Sequence, residues 1–302
     1  MTDKPPTLAS PTPSPFVDAR TLLSARGLRP KRSFGQNFLV NEGVVRRIAE
    51  LCTPSGDDGS SVASVIEIGA GLGALTSALL DRGGRVVAIE RDRDLVPILR
   101  EELASHLDRG ALEIVEADAA TIDYRSLFST LPPPHVLAGN LPYQITGRLL
   151  ERATELRRDI VRAVFMVQRE VADRIVAGPS DEAYGQPSVF VQAAFDVERA
   201  IVVRAGSFHP RPDVDSAVIV LTPRALPRAE ETQAFRDVVH AAFGSRRKTL
   251  KNALAKLLAS DAAQTAVAAT GIDLGRRGET LSVEELAAIA NAIESARAAS
   301  AT

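Results

Sequence analysis

Val65-Ile66-Glu67-Ile68-Gly69-Ala70-Gly71-Leu72-Gly73 decides how this chain is read. A short run rich in β-branched residues predicts a buried strand. Three glycines at alternate positions then predict a sharp turn whose bare backbone can approach a ligand closely. Residues 74–82 follow with helical character. Strand, glycine turn and helix together open a βαβ unit.

Working outward, similar strands recur. Residues 86–90 form an apolar run ending in Glu90, where a carboxylate suits the ribose hydroxyls of a nucleotide cofactor. Residues 112–115 lead to Asp118, placed to accept a hydrogen bond from an adenine amino group. A lone acid at a strand end is often a solvent-facing cap, but three ligand-type features at successive strand ends argue together for a binding site. Gly69 and Gly71 would sit against the cofactor. The spacing G-x-G-x-G, with Ala74 meeting the relaxed dinucleotide form, leaves both a nicotinamide cofactor and S-adenosylmethionine open.

The fourth run, Val136-Leu137-Ala138-Gly139, delivers Asn140-Leu141-Pro142-Tyr143 to the carboxyl end of the sheet. This tetrapeptide suits a flat amine. The Asn140 side-chain carbonyl can accept from an exocyclic NH2. Pro142 lacks an N–H, and a rigid Leu141-Pro142 unit offers the Leu141 carbonyl as a second acceptor. Tyr143 supplies a face for stacking a base. An ordinary turn would use the same residue types; the glycine loop upstream favours the functional reading.

Composition bounds the rest. The chain has 302 residues, 45% hydrophobic and 25% charged, as expected of a globular protein with a sizeable core, and its net charge of −2 does not advertise a polyanionic partner. Cys52 is the single cysteine, which precludes an intrachain disulfide, and His106, His135, His209 and His240 are scattered without a metal-ligand pattern. No apolar run reaches membrane-spanning length and no signal peptide is legible, so a cytoplasmic, metal-free protein is expected, with nothing that calls for more than a monomer.

Residues 1–16, with five prolines, read as a disordered tail. A basic stretch with Lys31 and Arg32 precedes Phe34-Gly35-Gln36-Asn37-Phe38-Leu39. It reads either as a solvated face or as a basic lip to a cleft. A helix over 42–51 is predicted with Asn41 as its N-cap. Alternation continues through a helix at 146–157, a strand at 163–167 and helices at 168–176 and 184–195. Strands at 200–204 and 217–221, joined by the loop holding Phe208, predict an antiparallel edge hairpin. The fold class is therefore α/β with a parallel, doubly wound sheet over residues 17–224. Residues 225–302 read as a small all-helical domain with helices near 230–243, 249–258, 261–268 and 283–295. Residues 238–260 carry Arg246, Arg247, Lys248, Lys251 and Lys256 and no acid, a local charge of +5 that leaves −7 on the remainder. This block reads as a phosphate-binding patch.

These motifs closely resemble the bacterial small-subunit rRNA adenine N6,N6-dimethyltransferase family. The matching stretches are 34–39, 67–73, 140–143, Val214-Asp215-Ser216-Ala217-Val218 and Arg246-Arg247-Lys248-Thr249-Leu250, and the resemblance spans about residues 28–295. It implies a Rossmann-like class I methyltransferase sheet, S-adenosylmethionine as methyl donor, and the small ribosomal subunit with its 16S rRNA as partner. It further implies that Asn37, Leu39, Gly69, Glu90, Asp118 and Asn140 contact the donor, that Gln36 and Phe38 belong to the same lip, and that Asn140, Leu141 and Tyr143 hold the target adenine. Phe208 matches an aromatic that closes over the base. Departures are Ala70 for a usual proline, Gln144 for a common asparagine and Asp213 for a usual lysine. The macrolide-resistance methyltransferases acting on large-subunit RNA share most of these motifs; the long basic lip and residues 246–248 favour the small-subunit enzymes. An assembly factor that mainly binds the immature subunit is a reading of a different class.

Overall fold

The computed structural model describes residues 16, 18–53, 63–245 and 247–300. The expected tail, apart from Phe16, and Arg246 lie outside the described residues. In chain order the strands are β1 Phe38–Leu39, β2 Ser64–Ile68, β3 Val86–Glu90, β4 Leu112–Glu116, β5 His135–Asn140, β6 Arg162–Gln168, β7 Phe195–Val203, β8 Phe208–His209 and β9 Ser216–Pro223. The chain divides into two compact units. One holds residues up to 142 with 205–213, the other residues 143–204 with 214 onward.

In the first unit four parallel strands run in the order β4-β3-β2-β5. Val65 pairs with Val86 and Val136, and Val86 pairs with Leu112. Parallel neighbours need crossovers, supplied by helices Ala74–Asp81, Val96–Glu102, Ala104–Asp108 and Tyr124–Ser129. Every residue of β2 and β3 is buried, which explains their near-continuous apolar sequence. The strands step outward from β2 through β3 to β4, and β5 then returns to the far side of β2. The order thus reverses between β2 and β5, the point where such sheets bind ligands beyond their carboxyl ends. Ile68, Glu90, Glu116 and Asn140 all end there.

Helix Glu42–Cys52 starts where Asn41 accepts from the Val44 N–H at 3.1 Å, as its N-cap position requires. Helix Ala19–Ala25 buries Ala19, Leu22 and Leu23 against Phe38, Leu72, Leu95 and Ile98. Each buried leucine contributes about 2 kcal/mol, and because Leu72 belongs to the glycine turn, this packing fixes the segment before β1 against that turn. β1 pairs antiparallel with β8, Leu39 opposite Phe208.

In the second unit β6, β9 and β7 are antiparallel in that order. β7 and β9 form the expected pairing, but β7 begins five residues earlier than the apolar pattern indicated, with a register shift between Arg199 and Ile201. Asp196, Glu198 and Arg199 are exposed; charges on an edge strand hide it from a hydrophobicity reading. Helices on both sides of residue 224 share one core that includes Tyr184, Val189, Phe235, Val238, Leu254 and Leu286. The compact division therefore does not coincide with the domain boundary expected at 224. Helices Gln233–Phe243, Asp261–Ala268 and Val283–Ser300 lie close to their expected ranges, whereas that over 249–258 is confined to Leu250–Ala253. Its first N–H groups, from Leu250 and Lys251, are taken by the carbonyls of Arg276 and Leu274, and the chain then tightens into turns ending at Leu258.

Gly139 shows how closely β5 approaches β2. A Cβ there would lie 2.4 Å from the Ile68 carbonyl oxygen, and main chain cannot retreat as a side chain can. Gly139→Ala is expected to lower stability by about 3 kcal/mol, the upper range for overpacking, read as a reduced urea midpoint. An unchanged midpoint would show that the strands separate freely here.

Candidate active site

Glu90 ends β3 with only 8% of its surface exposed. One carboxylate oxygen accepts the Gly71 N–H at 2.7 Å and the other accepts the Asp92 N–H at 2.7 Å. Burial pushes the Glu90 carboxyl up, opposed by these main-chain donors. Gly69 and Gly71 have φ of 73° and 58°, a region that favours glycine, and their turn is held to the sheet by Gly69 and Ala70 N–H groups donating to the Ile89 carbonyl. Glu67, the penultimate residue of β2, accepts from Thr76 Oγ1 at 2.6 Å. Burial pushes its carboxyl up to about 7, with Thr76 opposing and Glu90 adding to the shift.

The lip is tied to the loop after β3. Asp92, 1% exposed, accepts from Lys31 Nζ at 2.5 Å and Gln36 Nε2 at 2.6 Å, and Lys31 also meets Asp94 at 2.7 Å. Burial opposes the charge on Asp92, yet Lys31, the Asp94 N–H and Gln36 hold its carboxyl below the usual range. The ammonium of Lys31, expected among RNA contacts, is thus shared between two carboxylates. Arg32 opens a 3-10 turn, Arg32–Phe34. Asp118 accepts from the Ala120 N–H at 2.9 Å and pairs with Arg91 at 3.2 Å. Lys31 and Arg91 both lie over the Phe34 ring, at 5.5 and 5.6 Å. Asp92 and Arg91 were not singled out in the sequence; the alternating charges of 91–94 look like a solvated surface.

Asn140 stands at the end of β5. Its Nδ2 donates to the Asn37 carbonyl at 2.9 Å, and its main-chain carbonyl oxygen lies 3.8 Å from where a Cβ on Gly69 would sit. The structure therefore brings Asn37, Gly69 and Asn140 together. Leu141 is 1% exposed and Phe208 3%, and β1–β8 pairing sets Leu39 beside Phe208. In the second unit the Tyr143 hydroxyl shares a 3.1 Å hydrogen bond with Ser216 Oγ, and Ser216 is fully buried. Arg247, Lys248 and Lys251 are exposed around the start of Leu250–Ala253, where Thr249 bridges to Arg277. Among the described residues there is no cluster of His, Cys, Asp or Glu able to hold a metal, and no helix long and apolar enough to cross a membrane.

Parallel strand order, glycine turn and strand-end carboxylates define a Rossmann-like nucleotide-binding sheet, and the chain's similarities to known proteins make it that of a methyltransferase. The fold matches the crystal structure of a dimethyladenosine transferase from Plasmodium falciparum, with a TM-score of 0.67 at 23% identity over 83% of this chain and 95% of that one. It also matches the 23S rRNA methyltransferase ErmE, with a TM-score of 0.62 at 27% identity over 85% and 100%. The ribosomal RNA adenine dimethylase family matches residues 27–295. Ribosomal RNA small subunit methyltransferase A of Anaeromyxobacter sp. (strain K) is 43% identical over 286 residues, 91% of this chain and 97% of that one. The protein of the same name from Geobacter sulfurreducens is 42% identical over 269 residues, 87% and 95%. The chain belongs to the ribosomal RNA adenine dimethylase family, as its motifs indicated.

Glu67 gives this site a stability signature. Its folded pKa, about 7, lies above the ordinary 4.5. The folded state therefore binds the proton more tightly, and the contribution present below 4.5 is lost as pH rises through 7. Wild type should lose stability across that window, and Glu67→Gln should lose less. Urea midpoints measured against pH check this; identical slopes would show that Glu67 titrates normally.

Proposed function

We propose that this chain transfers methyl groups from S-adenosylmethionine to N6 of two adjacent adenosines in the 3′-terminal hairpin loop of small-subunit rRNA, and takes part in maturation of that subunit. The observation that carries this reading is Asn140 at the end of β5, its main-chain carbonyl beside Gly69 where the strand order reverses and its side chain held by the Asn37 carbonyl. The relatives named as small-subunit methyltransferases support the choice of RNA. A ribosomal substrate puts the work in the cytoplasm, and a monomer suffices for it.

The residues present fit S-adenosylmethionine. Gly69, half-buried at a positive φ, leaves bare main chain that a ligand could approach, while Gly71 lies buried behind Phe38. Glu90 accepts main-chain N–H groups from Gly71, Asp92 and Arg91, and the acceptor capacity its carboxylate has left would receive a ribose hydroxyl. Asp118 would accept from the adenine amino group, with Asn37, Leu39, Gly69, Gly71 and Asn140 completing the contacts. When bound, this cosubstrate supplies an electrophilic methyl group on a sulfonium.

The N6 amine of adenine is a poor nucleophile because its lone pair is delocalised into the ring. Asn140 Oδ1 and the Leu141 carbonyl accept the two N6 hydrogens and favour a more tetrahedral nitrogen, its lone pair aimed at the methyl carbon. Pro142 keeps the Leu141 carbonyl fixed. The lone pair attacks, the carbon–sulfur bond breaks with its electrons going to sulfur, and the alkylated nitrogen then sheds a proton to water. Tyr143 and Phe208 are the proposed stacking partners of the base, so the rate comes from positioning and electrostatics. The base must leave its stack, which is cheapest in a single-stranded loop. Arg246, Arg247, Lys248 and Lys251, with Lys31 and Arg32, are the proposed phosphate contacts. Lys31, already shared between Asp92 and Asp94, is the weakest of them.

The test is transfer of labelled methyl to small subunits that lack the modification. N6,N6-dimethyladenosine at two adjacent positions near the RNA 3′ end is expected. Label on large-subunit RNA would assign the chain to the resistance-type enzymes, and no label with subunit binding intact would make it an assembly factor. Asn140→Ala should bind RNA normally and lose about 10²–10³-fold in transfer, the cost of one aligned polar group. Replacing Arg247 and Lys248 together by alanine should lower the slope of log affinity against log salt by about 2. An unchanged slope would remove them from the RNA surface.

A further inference from the structure

We infer that Asn37 is a positioning residue for methyl transfer, acting through its main-chain carbonyl on the side-chain amide of Asn140. The inference rests on the reading above, in which Asn140 receives the target amine. Asn140 Nδ2 donates to the Asn37 carbonyl at 2.9 Å. A main-chain carbonyl carries lone pairs and no hydrogen, so only the nitrogen half of the amide can face it. The two halves of an asparagine amide have nearly the same shape and exchange by rotation about the terminal torsion. The Asn37 carbonyl breaks that equivalence by holding the donor half and leaving Oδ1 as the half presented to substrate. A reversed amide would set NH2 against the NH2 of adenine, two donors with no acceptor between them.

The carbonyl is itself fixed from several directions. The Asn37 side chain turns back to donate to the Gly35 carbonyl at 3.1 Å. Phe38 and Leu39, the next two residues, pair with His209 and Phe208. The Phe38 ring lies 3.2 Å from where a Cβ on Gly71 would sit. One stretch of chain therefore sets the Asn140 amide, abuts the glycine turn and pairs with the strand carrying Phe208. Because the Asn37 side chain is used locally, its effect on Asn140 runs through the main chain. Replacing the Asn37 side chain does not remove it, and the informative change is on the partner.

Asn140→Asp keeps the shape and replaces NH2 by oxygen. Ionised, the new carboxylate sets an acceptor against the Asn37 carbonyl and must turn away. Protonated, its O–H donates to that carbonyl and its other oxygen still faces the substrate. The carboxyls of Glu67 on β2 and Glu90 on β3 belong to the same sheet; they are equally present in Asn140→Ala, which lacks the introduced group and sets the baseline. Methyl transfer by Asn140→Asp, relative to wild type, should recover about tenfold or more between about pH 8.5 and about pH 5.5, while Asn140→Ala shows a constant deficit. A ratio for Asn140→Asp that does not change with pH, at whatever level, overturns the inference. So does a melting midpoint that rises toward acid in step with the rate, since the recovery then belongs to folding. Wild type that forms no N6-methylated adenosine at either pH overturns the functional reading instead.

Discussion

The Glu90 carboxylate accepts one N–H from the glycine turn and one from the loop after its own strand, and both of these loops take their shape from it. Hydrogen bonds to a charged acceptor contribute about 1.5–3 kcal/mol each, which opposes the cost of burying the charge. Burial still raises the carboxyl above its ordinary range, with those donors opposing the shift. Asp92, anchored by the second bond, in turn receives Lys31 and Gln36. A single strand-end acid thereby orders the glycine turn directly and the lip at one remove.

Strand order supplies the other half of the geometry. β5 reaches the same end of the sheet as β2 only because the chain crosses back over β2 and β3, and Gly139 lets its backbone come close enough to β2 for the Asn140 main-chain carbonyl to lie beside Gly69. Elsewhere in the first unit, Leu22, Phe38 and Leu72 pack together, so burial of apolar surface presses the lip onto the turn. Polar groups set directions in this region, and apolar groups set distances.

What the sequence disclosed follows the range of each signal. The glycine turn, the strand ends at Glu90 and Asn140, and the Asn41 cap are encoded within a few neighbouring residues, and each lies where its local pattern put it. Pairings between distant residues leave no local trace. Asn37 reaches Asn140, Lys31 reaches Asp92 and Tyr143 reaches Ser216 across separations of 103, 61 and 73 residues. Lys31 looked like a free cation because its acids lie far along the chain. The helices Ala19–Ala25, Val96–Glu102 and Tyr124–Ser129 span only 7, 7 and 6 residues, too few for a periodic pattern to stand out. The first half of β7 was hidden by its charges, and the grouping of 205–213 with the first unit depends on β8 pairing with β1, a contact no spacing announces.

Charge compensation explains how this chain can hold so many acids at one sheet end and still belong to a family that acts on RNA. Glu67 carries little charge below about pH 7, Asp92 is matched by Lys31, Asp118 by Arg91, and Glu90 by the dipoles of two N–H groups. Each compensating group lies within hydrogen-bond or ion-pair distance, far inside the roughly 8 Å over which salt screens charge at physiological ionic strength. Beyond that distance the set presents a much weaker field than its count of carboxylates suggests. The exposed cations Arg247, Lys248 and Lys251 have no acid among their sequence neighbours. Lys31 and Arg91 thus cancel acids whose field would otherwise extend from this end of the sheet.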